Sequence, residues 1–333
     1  MEEIKEIDLI SQSEKYLIDF SNLSSGLIAN QDSFLGKEML QHFCNNKILG
    51  IPLLLPKGLN TFDYSSVSEE FEINENEIAL KVFKTKNLNY VGVRNFFQYG
   101  NIFCKDATPK PENKKILKTI SNINNNLKKK IDYFVKNKKS VIAFQTRNIP
   151  HLGHEKIIKM LLKSYDYLFV NPVIGPKKKG DIKTEVLSMV FEYLSKNFYE
   201  NRIIFAPMCA NMFYAGPREA VHHALLRKNV GFSSFVVGRD HAGAENNFGP
   251  EDAINTVRLV ENDIGIDIIT HMGSYFNNST NKIVIKDHSN MSDDLLNISG
   301  TEFRKCIKDR TFFKFARREM QDFLLSYSGN LFY

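Results

Sequence analysis

Within ten positions, the stretch QTRNIPHLGH, residues 145–154, brings together two amides, a guanidinium and two imidazoles. It follows directly on the apolar run Val141–Phe144. Gln145, Arg147 and Asn148 offer hydrogen-bond donors, and His151 and His154, three apart, share a face on the first turn of an expected helix. Backbone N–H groups are unpaired at a helix N-terminus and the dipole there is positive, so the combination reads as a phosphate cradle. An HxxH pair also occurs in metal sites. It supplies only two ligands, however, and no flanking acid or cysteine completes the set, so no metal site is expected.

A second cluster is VVGRDHAG, residues 236–243. Gly238 permits a sharp turn at the end of a strand, and Arg239 and His241 offer donors suited to polyphosphate oxygens. Asp240 is placed to orient a neighbour or to contact a nucleotide. Alone, this motif also suits a tight turn with surface charge; beside the first it reads as part of an anion site. In YAGPREAVHHALLRK, residues 214–228, Gly216 and Pro217 start a helix, with Arg218 facing the cleft and Glu219 capping or pairing. His222 and His223 cannot face one direction, so one is expected packed and one exposed, and neither receives a role. In NISGTEFRKCIK, residues 297–308, Ser299 or Thr301 caps a helix beginning near Glu302. Neither a GxxxxGK phosphate loop nor a GxSxG nucleophile turn is present, and the cysteines lack a catalytic setting. Chemistry by positioning and charge stabilisation is favoured over a covalent nucleophile.

These clusters need a frame that collects them, and from Ser140 onward the pattern supplies one. Apolar runs alternate with amphipathic segments: SVIAF then HEKIIKMLLKSY, YLFVNPVI then KTEVLSMVFEYLSKNF, RIIFAP then REAVHHALLRK, SFVVG then EDAINTVRLVEN, and finally IDIIT. That rhythm predicts an α/β fold, a doubly wound parallel sheet with helices on both faces. The polar motifs all fall at strand C-terminal ends, where ligands bind in such sheets. The first hundred residues read instead as β-rich, with ILGIPLLL, EIALKVF and LNYVGVRNFFQYGNIF as short strands. KDATPKPENKK, residues 105–115, marks a boundary. The expected organisation is an N-terminal domain over 1–108, a lysine-rich linker or helix over 109–139, and a catalytic domain over 140–333 ending in helices.

Composition bounds the class. The chain has 333 residues, 43% hydrophobic and 25% charged, as in ordinary globular proteins. No apolar run approaches the roughly 20 residues that span a bilayer, and the acidic start MEEIKEIDLI is unlike a signal peptide. Cys44, Cys104, Cys209 and Cys306 are scattered, which suits unpaired thiols in a reducing cytoplasm. The net charge is +6, but residues 109–139 hold ten lysines against Glu112 and Asp132, a local +8 that leaves about −2 elsewhere. The excess is one segment without interleaved aromatics, read as a solvated helix from about Ile116 to Val135. Nucleic-acid binding rests on it alone and is disfavoured.

Taken together, the motifs resemble those of the ATP sulfurylase (sulfate adenylyltransferase) family: QTRNIPHLGH at 145–154, YAGPREA at 214–220, GRDHAG at 238–243, FGPEDA at 248–253 and ISGTEFR at 298–304. LIANQDSFLGKEML and NFFQYGNIF match more loosely, and imply a shortened PUA-like domain ahead of a Rossmann-like nucleotidyltransferase domain. The resemblance implies attack of a sulfate oxygen on the α-phosphorus of MgATP, giving adenosine 5′-phosphosulfate and pyrophosphate. Gln145 and Arg147 would hold sulfate with the backbone N–H of Ala242. Thr146, Arg147 and Asn148 would form the reacting centre, with His151 and His154 stabilising the transition state and the departing pyrophosphate. ATP would lie against Gln145, Arg147, Asn148, His151, His154, Gly238, Arg239, Asp240 and His241. Two departures stand out. Phe213 precedes the YAGP motif where many members carry arginine. The cysteines that bind zinc in some bacterial members are missing from SYFNNSTNKIVIKDHSN, leaving only His288, so no structural zinc is expected. The expected partners are ATP with Mg²⁺, sulfate and further copies of the chain, with no membrane. The rival readings are adenylyl transfer to another oxyanion or phosphorylated acceptor, and a catalytically silent nucleotide-binding homologue.

Overall fold

A computed structural model describes residues 1–64, 68–239, 241, 247–286 and 294–333. Its centre is a parallel five-stranded sheet: β1 (Val141–Phe144), β2 (Tyr167–Val170), β3 (Ile203–Phe205), β4 (Ser234–Gly238) and β5 (Asp267–His271), in the order β5-β4-β1-β2-β3. The register sets Val236 against Phe144 and Gly238 against His271. Because side chains alternate along a strand, the sheet divides its apolar residues between two faces. Val141, Ala143, Phe235 and Val237 enter one core, while Ile142, Phe144 and Val236 enter the other. Helices Leu152–Leu161, Thr184–Phe198, Gly300–Lys308 and Arg318–Ser326 cover the second face. Helices Lys114–Lys136, Pro217–Val230 and Asp252–Leu259 cover the first. The expected doubly wound α/β sheet is therefore present, and its strand order changes direction between β1 and β4, where such sheets open a ligand crevice.

The lysine-rich segment is helical as expected, over Lys114–Lys136. Ile120, Ile123, Leu127 and Ile131 form its inner stripe against the sheet, and nine of the ten lysines are exposed. Buried Asn124 ties the helix to the strand edge. Its amide donates to Cys209 O at 3.0 Å while its Oδ1 accepts from Cys209 N at 2.8 Å. Among the described residues, no helix is long and apolar enough to cross a membrane.

The N-terminal segment corrects the β-rich expectation. Helices occupy Glu2–Asp8, Lys15–Ser24, Lys37–Cys44, Glu75–Lys81 and Val91–Phe96, and the described strands there are two or three residues long. EIALKVF runs out of the helix Glu75–Lys81 and is not a strand: Asn74 Oδ1 accepts from Glu77 N at 3.2 Å, and buried Ile78 and Ala79 are followed a turn later by buried Val82 and Phe83 just past the helix end. A small core of these residues with Leu40, Ile51, Phe71, Tyr90 and Phe103 includes Ala215 from the YAGP loop. Ile7, Leu17, Leu53 and Phe62 instead join the core under the central sheet.

The helix Gly300–Lys308 begins at Ser299, whose Oγ accepts from Glu302 N at 3.2 Å. Ser299→Ala is expected to destabilise the chain by about 1 kcal/mol, read as a fall of about 2 °C in melting temperature. A larger fall for Thr301→Ala would assign the cap to the wrong residue.

Candidate active site

The ends of β1, β4 and β5 open onto one cleft of about 330 Å³. Gln145, Thr146, Arg147, Asn148, His151 and His154 line it from the β1 side, and Gly238, Arg239 and His241 from the β4 side. Every described residue expected to contact ATP or sulfate is thus in one place. Asp240 and Ala242, expected to contact ATP and sulfate, lie outside the described residues, as does His288. His271, Ser274 and Asn297 complete the wall, and sequence reasoning missed all three.

The histidine pair is arranged differently from the expected cradle. His151 is the N-cap of the helix Leu152–Leu161, not part of its first turn. Its Nδ1 accepts from Gly153 N at 3.1 Å and His154 N at 3.4 Å, while His154 Nδ1 accepts from His151 N at 3.3 Å. The two imidazoles therefore cap the helix reciprocally, and these backbone N–H groups are not free for an anion. An imidazole whose Nδ1 accepts carries its proton on Nε2 when neutral. Both rings, with centroids 4.0 Å apart, thereby hold an Nε2–H donor in reserve. Burial lowers His151 to about 4. Burial first, then the nearby His151 and His271, hold His154 well below the ordinary value. His271 falls to about 4 through burial and then the Arg239 charge. These groups are neutral donors at pH 7, not cations.

Gly238 has a different reason from the turn expected of it. A Cβ there would come within 2.6 Å of His271 Cε1, so glycine is what lets this ring lie over the strand end. The Arg239 backbone N–H donates to His271 O at 3.1 Å. Its guanidinium donates to Tyr275 Oη, stands 5.2 Å from that ring's centroid, and reaches Asn297 Oδ1 at 3.3 Å. The antiparallel strands Ser274–Asn277 and Leu295–Asn297 therefore orient an arginine from β4.

Arg147 is held by the YAGP loop. Its Nη1 donates to Tyr214 Oη at 2.8 Å, and its Cζ lies 5.4 Å from the Tyr214 centroid. Tyr214 adopts a left-handed φ of 56°, uncommon for an aromatic residue, and its carbonyl accepts from Tyr90 Oη. Strain of this kind persists only where its surroundings impose it. Thr146 Oγ1 accepts from Asn148 N at 3.2 Å and shapes the turn between them. Gln145 Oε1 and Asn148 Oδ1 are buried without a protein partner among the described residues. Rotating either amide would bring N–H donors to the same point.

Three expectations for the helix Pro217–Val230 meet correction or support. Gly216 and Pro217 do start it, with Glu219 accepting from Phe213 N at 3.1 Å and Ala215 N at 3.0 Å. Arg218 does not face the cleft. It reaches back to the carbonyls of Phe43, Ile48 and Gly50, because the N-terminal segment packs there and its free carbonyls need donors. His222 and His223 are both buried, 2% and 0% exposed, since neighbouring segments enclose this helix on both sides. His223 Nδ1 lies 3.0 Å from His241 Nε2 and so positions a cleft residue. Its Nε2 is 3.1 Å from Glu219 Oε1 but makes no hydrogen bond, because the N–H is not directed along that line.

Comparison with known proteins agrees with this architecture. The ATP-sulfurylase family model matches residues 119–326. A sulfate adenylyltransferase of Pyrococcus abyssi is 36% identical over 264 residues, covering 71% of this chain and 68% of its own. One from Thermococcus onnurineus is 32% identical over 338 residues, covering 92% and 86%. Among solved structures, a hexameric APS kinase from Thiobacillus denitrificans superposes with a TM-score of 0.59 at 14% identity. That match covers 95% of this chain and 61% of the other, and shows likeness of fold. On the match over residues 119–326 and the identities of 36% and 32%, this chain belongs to the ATP-sulfurylase family.

Proposed function

We propose that the protein is a sulfate adenylyltransferase that joins sulfate to the α-phosphorus of MgATP. A sulfate oxygen forms a bond to that phosphorus, the bond to the β-phosphate bridging oxygen breaks, and pyrophosphate leaves with the electron pair. The observation that carries this reading is the convergence of motif residues from β1 and β4 on one cleft at the switch point of the sheet. Two polyanions that repel each other must meet there, and sulfate is a poor nucleophile. Orientation and stabilisation of leaving-group charge are then the protein's contribution.

In this mechanism Gln145, Arg147 and the Ala242 backbone hold sulfate, and Thr146 and Asn148 shape the loop at the reacting centre. His151 and His154 donate their Nε2–H groups to phosphate oxygens as charge moves onto pyrophosphate. Gly238, Arg239, Asp240 and His241 bind ATP. Mg²⁺, arriving with the nucleotide, neutralises part of the triphosphate charge. Phe213 packs edge-on against His222, with centroids 5.6 Å apart, and does not line the cleft, so it favours no other acceptor. The reading includes the N-terminal segment 1–108 as a shortened PUA-like module, the helix-bearing segment 109–139, and the catalytic segment 140–333. It also includes a homo-oligomeric state and a cytoplasmic setting, the latter supported by four unpaired thiols.

Purified protein is expected to release pyrophosphate from MgATP only when sulfate is present. Pyrophosphatase is included because the product anhydride lies uphill. ATP formation from adenosine 5′-phosphosulfate and pyrophosphate is the companion assay. A folded protein inactive in both directions overturns the assignment, and preference for another oxyanion across a panel redirects it.

A further inference from the structure

Beside the cleft, and sharing Arg147 and Met212 with it, lies a smaller cavity of about 80 Å³. Its walls come from the helix Lys15–Ser24, the turn after Ile174 and the loop before Tyr214. Four cationic side chains line it without a carboxylate within 4.0 Å among the described residues: Lys15, Arg147, Lys178 and Arg304. A fifth, Lys177, is paired with Asp8 at 3.5 Å. The one carboxylate in the wall among the described residues, Asp181, accepts from the Lys178 backbone N–H at 3.0 Å.

The cations are held in place by neutral groups. Lys15 Nζ donates to Gln98 Oε1 at 2.7 Å and Asn95 O at 3.3 Å. Lys178 Nζ and Arg147 Cζ stand 4.7 Å and 5.4 Å from the same Tyr214 ring. Among the described residues, Arg304 Nη2 reaches only the Thr301 hydroxyl, at 3.3 Å. Neutral oxygens and a π-face fix geometry while leaving charge unbalanced. Like charges gathered in a partly enclosed space are unfavourable unless an anion joins them. The neighbouring ionisations agree with that imbalance. Burial first lowers Lys15 to about 8, the Asp19 charge opposing that fall and the Lys178 charge adding to it, while burial raises Asp19 to about 7 and weakens it as a counter-charge.

We propose that this cavity is a second oxyanion site that captures the tetrahedral dianion acceptor and passes it to the cleft across the guanidinium of Arg147. The inference rests on the adenylyl-transfer reading, since it names the acceptor's route. The cavity is far smaller than the cleft and suits one tetrahedral oxyanion, not a nucleotide. An anion that slides from one side of Arg147 to the other never loses its guanidinium partner. A cleft lined by one sign of charge also raises the local concentration of the opposite ion.

The test compares wild-type protein with Lys178→Met, a change at an exposed side chain, and with Lys15→Met/Lys178→Met. Calorimetric titration with sodium sulfate at low ionic strength, without nucleotide, reads binding; steady-state kinetics in both directions read turnover. In the double variant, sulfate affinity and kcat/KM for sulfate should fall by about tenfold or more. The KM for ATP and kcat at saturating sulfate should change less than twofold, about the scatter of independent sites, while kcat/KM for pyrophosphate in the reverse direction falls in the same proportion as kcat/KM for sulfate, as microscopic reversibility requires. Lys15→Arg/Lys178→Arg should restore most of the loss, and the salt sensitivity of wild-type kcat/KM should flatten in the Met variant. If the double variant unfolds, Lys178→Met alone should show the same selective loss in smaller degree. Wild-type sulfate binding and kcat/KM in a folded variant would overturn the proposal, as would an equal loss of kcat at saturating sulfate. A wild-type protein inert in both directions defeats the adenylyl-transfer reading, while calorimetry still judges the cavity. Sulfate binding that weakens in the variants supports it, and no sulfate binding by wild type overturns it.

Discussion

Replacing His154 by alanine should lower the maximal rate of adenylyl transfer by about 100-fold or more, the usual scale for losing one charge-stabilising donor. Sulfate affinity should stay nearly intact. The expectation comes from the capping geometry: with Nδ1 engaged by His151 N, the Nε2–H group of His154 is its only donor toward the cleft. Alanine also removes one half of the reciprocal cap, a loss of about 1 kcal/mol on the scale of other caps. The melting temperature should therefore fall by only a few degrees while turnover collapses. If the ring served the helix alone, the order would reverse, with stability lost and turnover kept. Arg147→Lys should behave differently and weaken sulfate binding together with turnover. A lysine ammonium is a point charge and cannot donate to Tyr214 Oη while presenting a planar fork to an oxyanion. Steady-state kinetics and thermal melting of both variants decide the matter. A near-normal maximal rate in His154→Ala would remove that residue from the mechanism.

Acid should unfold this protein earlier than its carboxylates alone would suggest. Six of its eight histidines are held below their ordinary value of 6.5, with burial the first cause in each: His151, His154, His222, His223, His241 and His271. His151 and His271 fall to about 4 and His222 to about 3. A lowered folded-state value means that the unfolded chain binds more protons between 6.5 and the native value. The stability is therefore fully present above about pH 6.5 and is lost progressively as pH falls through 4. His151 and His222, 6% and 2% exposed, carry the estimate. At about 1.4 kcal/mol per pKa unit, and discounted by half, those two alone are worth about 4 kcal/mol. A typical domain holds only about 5–15 kcal/mol in total. Denaturant midpoints between pH 7.5 and 4.5 should fall steeply below 6.5. A flat profile to pH 4.5 would show that these imidazoles take up protons in the native state.

The sequence by itself determined the central sheet and most of what lies at its strand ends. Alternating apolar positions such as Val141 and Ala143 against Ile142 and Phe144 write a strand covered on both faces, and this signal is local. A helix cap at Ser299 or Thr301, of which the structure selects Ser299, and the stripe through Ile120, Ile123, Leu127 and Ile131 were readable for the same reason. In EIALKVF the local signals conflicted. A short apolar run suits either element, and only the Asn74 cap and the contacts of Ile78 and Phe83 select the helix. Tertiary structure alone decided which way each polar side chain turned. Arg218 turned away from the cleft because carbonyls of a distant segment needed donors, and His151 and His154 turned inward on each other because the free N–H groups at the helix start needed acceptors. Tyr214 reaches Arg147 from 67 positions away, and His271 lies over Gly238 through strand pairing. Periodicity and capping act within a turn or two of the chain, so a sequence displays them. Charge balance and hydrogen-bond satisfaction in a cleft depend on groups brought together from remote positions, and only the folded arrangement sets them.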